Sequence, residues 1–455
     1  YMSGTNNWDG GTNPQIYALN GSDWCNVPFS ESFTNVMPAW LQLKYAHANG
    51  LLSDDIFAVA NILKVMSLHR VSDIYGPLPV LHFGETENPY NSQEECYMHF
   101  FETLDSAIAV LKDVVENNPD AKPLEEVDAL YHGDYSKWLK LANSVKLRLA
   151  MRICYVKPDL AKQYAMEAVR DGVMETADDS ALFQSWGSIT IINPLEKIWN
   201  GYSDTRMGAS MDSYLNGYND PRLPVYFQPV TEGDNKGEYR GVANGMPNPQ
   251  QDDYKAMSAP NVQEKSTDSP LRWMMASEVA FLRAEGAMRG WTAEMGGTAE
   301  EFYNKCIELS FLENGLSADA AARYAADETS KPTDFTDVSA ANTKYNISAL
   351  GKITIKWNAG ASEEEQLERI ITQKWIAMFP NGTEAWSEFR RTGYPLIFPV
   401  RSNYPTSGVD TNKQIRRMVF PQSEYSNNGA AVQEAVKLLG GPDNGGTKLW
   451  WDKKN

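Results

Sequence analysis

Apolar residues recur with the period of an α-helix along much of this chain, first between residues 38 and 170. Ser53 can cap one such stretch, and Pro77 ends it because proline cannot continue the backbone hydrogen-bond ladder. Ser92 and Glu95 have the spacing of a capping box, and apolar side chains follow them at every third or fourth position. The pattern predicts a series of long helices that pack as hairpins.

A second group of helical stretches lies between residues 277 and 390. Small alanine residues at the predicted helix contacts are typical of hairpin repeats of the tetratricopeptide type, although the chain keeps no strict period of roughly 34 residues. We therefore expect a mainly α protein, built as a superhelix of tetratricopeptide-like helix hairpins.

Two stretches lack this periodicity. Residues 1–37 are rich in Gly, Asn, Ser and Trp and are predicted to be loops. Between residues 172 and 270, Gly, Pro, Asn and Asp recur every few positions, which predicts loops with short strands and short helices. Because long irregular segments inside a compact protein are usually functional, we expect the ligand-binding region there. Scaffold and loops are together predicted to form a single domain over residues 1–455.

The charge balance excludes several kinds of partner. The 455 residues include 41 Lys and Arg against 59 Asp and Glu, a formal net charge of −18. Such a chain repels phosphate backbones and anionic lipid, so we expect no nucleic acid and no direct contact with a membrane surface. The sequence has no run of 18 apolar residues that could span a bilayer. It begins at Tyr1 without the pattern of a leader, and we expect a trimmed leader or a mature form.

The sequence contains none of the common catalytic or cofactor motifs, namely HExxH, a Walker loop, GxSxG, GxGxxG and CxxC. Its histidines have neither helical pair spacing nor zinc-finger spacing, and none accompanies a recognisable serine or cysteine nucleophile. The four cysteines lie far apart and are predicted to be free, buried thiols. We therefore predict no catalytic residues, no metal site and no cofactor.

One pair of carboxylates leaves an enzymatic alternative open. Glu384 and Glu388 share a face of a predicted helix, and two carboxylates across a cleft can hydrolyse a glycosidic bond. Arg390 and Arg391 follow them closely, so we expect the glutamates to pair with arginine instead.

Six motifs, in order along the chain, resemble those of one family. Residues 278–285 read Glu-Val-Ala-Phe-Leu-Arg-Ala-Glu and resemble the E-x-x-F-L-x-A-E-A helix of SusD-like proteins. The other motifs resemble further signatures of that family and lie at residues 73–79, 220–223, 373–395, 417–421 and 450–452. The chain is similar to the SusD/RagB-like outer-membrane nutrient-binding lipoproteins, and most similar to their type 2, starch-binding-associated branch. We expect these motifs to be scaffold, with Glu285 paired to Arg391.

This resemblance implies a place and a partner. Members of the family combine four tetratricopeptide-like helix pairs with a loop-rich, ligand-binding region. They are lipid-anchored at an N-terminal cysteine on the outer surface of the outer membrane, where they act as a lid on a SusC-like TonB-dependent transporter. By this resemblance the protein binds an oligosaccharide or polysaccharide and delivers it to such a transporter, without being an enzyme. The lipidation cysteine is absent from this chain, so the membrane anchor is inferred from the family alone.

The candidate ligand contacts come from the chemistry of sugars. Sugar recognition needs flat aromatic faces for the apolar side of a pyranose ring and polar groups for its hydroxyls. Aromatic residues in loops rich in Asn, Asp and Gly meet this need better than rings on helix faces. We predict contacts from a first cluster of Asn6, Trp8, Asp9 and Trp24, and from a second cluster of Trp186, Trp199 and Tyr202, with Tyr218 beside them. Trp8 and Trp24 are the leading candidates because Asn, Asp and Gly flank them.

Two other functions stay open at this point. A glycoside hydrolase on a helical scaffold would turn over an oligosaccharide and lose that turnover when one carboxylate is changed. A tetratricopeptide-type adaptor for peptides or proteins would need ordered polar side chains along a concave groove, whereas this chain has its aromatic residues in loops.

Overall fold

Helices account for most of the secondary structure, as the apolar period predicted, and the mainly α fold class is confirmed. A computed structural model describes residues 1–5, 14–18, 23–247, 249–261 and 269–454 of the chain. These residues divide into two compact units. We call residues 17–174 with residues 404–454 the helical unit, and residues 1–16 with residues 175–403 the mixed unit. That the whole chain forms a single domain stays a prediction.

The helical unit contains the longest helices of the described chain. Helix α3 packs on α4, α4 on α5 and α5 on α6, so each helix contacts the next one in sequence, as in a series of hairpins. A π-helical turn at Ser32–Val36 joins α1 to α2. The helices are α1 (Asp23–Glu31), α2 (Met37–Ala48), α3 (Asp54–Tyr75), α4 (Gln93–Asn117), α5 (Tyr135–Arg152), α6 (Pro158–Asp171) and α17 (Gln422–Leu439).

The observed end of α3 and the observed starts of α3 and α4 agree with the helix-start and helix-end signals in the sequence. Helix α3 starts after Ser53 and ends at Gly76, whose φ of 98° is a conformation that favours glycine. At the start of α4, the Oγ of Ser92 accepts a hydrogen bond from the Glu95 amide at 3.2 Å, and the Glu95 carboxylate accepts one from the Ser92 amide at 2.7 Å. The predicted capping box is therefore confirmed.

A buried carboxylate connects the C-terminal segment to the core of the helical unit. Asp73 on α3 accepts hydrogen bonds from the Tyr97 hydroxyl at 2.5 Å and from the Trp451 indole at 2.9 Å. The Arg152 guanidinium lies 3.3 Å from the same carboxylate, and all four side chains are buried. Two of the family motifs thus meet at Asp73, in agreement with their predicted role as scaffold.

The mixed unit has two small antiparallel sheets. In one of them β1 (Met2–Gly4) pairs with β3 (Thr205–Met207), with Ser3 opposite Arg206. In the other, β2 (Ala181–Phe183) pairs with β4 (Leu271–Met274), and a register shift lies between the first two residues of β2. Both sheets therefore join segments that are far apart in sequence.

The helices of the mixed unit are shorter, and they include a group in which α11 packs on both α13 and α15. They are α7 (Pro194–Glu196), α8 (Ala209–Gly217), α9 (Leu223–Tyr226), α10 (Gln251–Tyr254), α11 (Ala276–Met288), α12 (Thr292–Met295), α13 (Ala299–Leu312), α14 (Ala318–Ala325), α15 (Glu363–Ala377) and α16 (Gly382–Thr392). Across the described residues of both units, no helix combines the length and the apolar composition needed to cross a bilayer.

The prediction that residues 1–37 are loops is wrong for part of this stretch, because α1 and the π-helical turn after it are helical. On α1, Cys25 and Phe29 lie four residues apart and are both buried. The Phe29 ring packs edge-on against Tyr75, with 5.6 Å between the ring centroids. Contacts with a residue distant in sequence thus stabilise a helix whose local composition favours loops.

Three helices of the mixed unit are joined by a buried ion network. Arg391 on α16 donates two hydrogen bonds to Glu285 of α11, at 2.7 and 2.6 Å, which confirms the predicted pair. It also donates to Glu388 at 2.6 Å, and Lys374 of α15 lies 3.3 Å from that carboxylate. Burial by itself raises the pKa of Glu285, but the charges of Arg391 and Arg289 outweigh this effect and lower the pKa below its ordinary value. Glu285 is therefore ionised in the folded protein.

We expect Arg391→Met to lower the free energy of unfolding by about 3–5 kcal/mol, because it leaves two buried glutamates without their main partner. The matched control is Lys356→Ala, which removes an exposed ion pair of the same unit, the pair with Glu328. An exposed pair contributes less than about 1 kcal/mol. Urea unfolding of both variants measures the difference, and equal, small losses would contradict a central role for the network.

Candidate ligand-binding site

An irregular stretch of the mixed unit, residues 183–202, carries several aromatic residues, and we call it the aromatic segment. It starts where the paired strands β2 and β4, the β2–β4 ribbon, end. Phe183, the last residue of β2, stacks on Trp273 of β4, with 4.7 Å between ring centroids and 10° between ring planes. Both rings are half-buried. Because each strand fixes one ring of the stack, this pair is a rigid base for the loop that follows.

That loop turns back on itself and exposes Trp186. The Trp186 and Ile189 backbones exchange two hydrogen bonds, at 2.9 and 2.8 Å, which close the turn. The Oγ of Ser185 accepts a further hydrogen bond from the Ile191 amide at 3.1 Å. About 37% of the Trp186 surface and 60% of the Ile192 surface are exposed. The turn therefore presents apolar surface to solvent from a hydrogen-bonded backbone.

A π-helical turn at Lys197–Tyr202 carries the other two predicted aromatic residues. The Trp199 ring covers the guanidinium of Arg206, with 5.2 Å between the ring centroid and the central carbon. Arg206 is buried and donates to the backbone oxygen of Lys255 at 2.6 Å. Tyr202 is 41% exposed and lies beside the Lys197 ammonium, at 5.5 Å. Trp199 thus stabilises the turn, whereas Tyr202 is available to a ligand.

The residues that the sequence predicted for the site differ in their exposure, and some of them lie outside the described part of the chain. Asn6, Trp8 and Asp9 lie outside the described residues, and Trp24 is the second residue of α1, with its side chain also outside the described part. Trp186 and Tyr202 are exposed, and Trp199 is half-buried.

Tyr218 was wrongly placed among the ligand contacts. Only 1% of its surface is exposed, and its hydroxyl donates to the backbone oxygen of Ile353 at 3.2 Å. Sequence reasoning missed Phe183 and Trp273, since no local pattern shows that residues so far apart in sequence pair as strands.

Glu384 and Glu388, the pair of carboxylates that the sequence brought together, are buried beside basic residues. Glu384 and Glu388 do lie on α16, but both are buried, and Lys374 lies 3.9 and 3.3 Å from them. Arg391 bonds Glu388, so the expected arginine pairing is confirmed for this residue. Among the residues that the structure describes, no three His, Cys, Asp or Glu side chains are grouped as metal ligands. All four cysteines are free and buried, as predicted.

Comparison with known proteins identifies the family. The profile of the family described as SusD-like, Susd and RagB outer membrane lipoprotein, matches residues 1–452. A chitin-binding SusD homolog from Flavobacterium johnsoniae is 40% identical over 100% of this chain and 92% of its own length, with a TM-score of 0.92. No curated protein matches the chain. The chain belongs to the SusD-like family of outer-membrane lipoproteins.

Other solved structures agree with this assignment. A SusD-like protein from Bacteroides thetaiotaomicron is 38% identical over 99% of this chain and 91% of its own length, with a TM-score of 0.91. A SusD homolog from Bacteroides vulgatus is 33% identical over 100% of this chain and 90% of its own length, with a TM-score of 0.92. The resemblance found in the six sequence motifs is therefore confirmed.

The different surroundings of the tryptophans lead to a test on stability. We expect Trp199→Ala to lower the free energy of unfolding by about 1–3 kcal/mol, because it uncovers the buried Arg206 guanidinium. Trp186→Ala should change it by less than about 1 kcal/mol, since the ring is substantially exposed. Chemical denaturation of the two variants makes the comparison, and a larger loss for Trp186→Ala would reverse the assignment.

Proposed function

We propose that this protein is a non-enzymatic glycan-binding protein that holds an oligosaccharide or polysaccharide for a SusC-like TonB-dependent transporter. The observation that carries the proposal is the match of nearly the whole chain to the SusD-like family, together with a relative of 40% identity that is named as chitin-binding. The aromatic segment of the mixed unit supplies a surface of suitable chemistry. Family membership also supports a place on the outer surface of the outer membrane, held by a lipid anchor.

The ligand contacts in this proposal are Trp186 and Tyr202, on the base formed by Phe183 and Trp273. A ring face that covers one sugar removes about 80 Å² of apolar area from water, which contributes about 2 kcal/mol. Trp199 assists by supporting the turn that carries Tyr202. Asn6, Trp8, Asp9 and Trp24 stay predicted ligand contacts, apart from this surface.

The first ligand class to test is oligosaccharide of N-acetylglucosamine. Two of the similar solved structures are named as chitin-binding, one at 40% and one at 27% identity. N-acetylglucosamine offers an apolar ring face to tryptophan and an amide to polar side chains, so it fits an exposed aromatic surface.

Titration calorimetry with chitin oligosaccharides, within a panel of other soluble glycans, tests the proposed site. We expect Trp186→Ala and Tyr202→Ala each to weaken binding roughly 5- to 30-fold, because each removes a stacking face. Trp8→Ala and Trp24→Ala should do the same. The matched control is Tyr404→Ala, since Tyr404 is an exposed aromatic residue of the helical unit, 39% accessible, outside the proposed site.

Two outcomes of that experiment would overturn the assignment. Unchanged affinity in both Trp186→Ala and Tyr202→Ala would remove the aromatic segment from the site. Release of new reducing ends from any glycan of the panel would show that the protein is an enzyme, and Glu384→Gln and Glu388→Gln would then identify the carboxylate involved.

A second experiment tests the transporter partner. Where a gene for a SusC-like TonB-dependent transporter lies beside its own, the protein co-expressed with that transporter should co-purify with it in detergent. The control is a SusC-like transporter from an unrelated glycan locus, which should not be retained. Equal recovery with both transporters, or with neither, would contradict the proposed partnership while leaving glycan binding intact.

A further inference from the structure

A buried lysine in the helical unit lies among other basic groups. Lys64 on α3 has only 3% of its surface exposed. Its Nζ lies 4.1 Å from the ring centroid of Trp40 on α2 and 3.2 Å from Nε2 of His99 on α4. The Trp40 indole donates to Asn61 at 2.9 Å, which fixes the orientation of the ring. Three helices thus hold this amine in a defined position.

The surroundings of this amine are basic. The Lys44 ammonium lies 5.5 Å from the same Trp40 ring and contributes a second positive charge. Among the described residues, no carboxylate pairs with Lys64, although the chain has 59 acidic residues. An isolated ammonium is costly to bury, so these surroundings favour the uncharged amine.

Burial among positive charges lowers the pKa values of both Lys64 and His99. Burial, and after it the charge of Lys44, lowers the pKa of Lys64 to about 7. Burial and the charge of Lys64 lower the pKa of His99 to about 4. Near neutral pH, a substantial part of the Lys64 amine is therefore uncharged, and His99 is a neutral base beside it. Desolvation next to a second cation is one way in which proteins make a lysine nucleophilic.

We propose that Lys64 is a site for the reversible binding of carbon dioxide as a carbamate. The Nζ lone pair attacks the carbon of CO2, an N–C bond forms, and one C=O electron pair moves onto oxygen. Nζ then gives one proton to Nε2 of His99, so that no other bond breaks and no oxidant or reductant is needed. The nearly complete burial of Lys64 favours a small, uncharged electrophile over a larger one.

Each neighbour has a role in this reaction. The carbamate is negative, so Lys44, which repels the Lys64 ammonium, attracts the product, and so does His99 once it has accepted the proton. In this step the Lys64 side chain changes from neutral to −1 and His99 from neutral to +1, which gives the basic cluster the anion it lacks. Because CO2 then binds the folded protein and not the unfolded chain, binding stabilises the fold by mass action.

Trapping on the unaltered protein tests the proposal directly. The protein is equilibrated in a closed vessel with isotopically labelled bicarbonate and CO2 slightly above neutral pH, alkylated with triethyloxonium to fix carbamates, and mapped by peptide mass spectrometry. We expect the labelled ethyl carbamate on Lys64. The internal control is Lys437 of the same unit, an exposed lysine paired with Glu434. Absence of label on Lys64, or equal labelling of Lys437, would overturn the proposal.

Variants then distinguish a carbamate site specific to Lys64 from the reaction of any amine of the protein with CO2. Lys44→Met and His99→Gln should each lower the carbamate occupancy at fixed CO2 by about tenfold, because each removes a charge that stabilises the anion. Lys64→Arg should abolish the carbon NMR signal of the carbamate and the rise in unfolding midpoint with added CO2. An unchanged signal in Lys64→Arg would assign the carbamate to another amine and refute the inference.

Discussion

The packing of α11, α15 and α16 in the mixed unit depends on the buried ion pairs of Arg391. Its guanidinium meets the carboxylates of Glu285 and Glu388 away from water, where an unpaired charge would cost several kcal/mol. These hydrogen bonds, and the ion pair of Lys374 with Glu388, form only if α11, α15 and α16 meet in one arrangement. The network therefore selects a single packing of these helices, and it explains why charged residues occur in the family motifs of this region.

Much of the fold could be predicted from the sequence because its determinants are local. The apolar period indicated α3 to α6, and the Ser92 capping box and Pro77 marked helix ends correctly. Helix α1 was missed because its stability comes from Phe29 packing against Tyr75, a contact between residues far apart in sequence. The Glu285–Arg391 pair is also distant in sequence, and only the resemblance to a known family suggested it.

The aromatic site was predicted less completely, for a related reason. Composition indicated which loop segment carries exposed rings, but it could not distinguish the exposed Trp186 from Trp199, which covers Arg206, or from the buried Tyr218. These roles depend on the residues that each ring packs against. The stacking of Phe183 on Trp273 depends on strand pairing across nearly a hundred residues, for which a single sequence contains no local signal.

The β2–β4 ribbon has a consequence for how such proteins diversify. The long irregular segment of the mixed unit begins after β2 and ends at β4, and the pairing of these strands holds its two ends together. Because the ends are fixed, doubling the length of a flexible loop between them adds only about 0.6 kcal/mol of closure cost. Insertions and deletions can therefore accumulate in the exposed turns of this segment, such as the turn at Trp186, without repacking α11, α13 and α15. Its buried parts are constrained, because Arg222 donates to Ser310 of α13 and to Gln373 of α15. Evolution can exchange the recognition surface while inheriting the scaffold unchanged.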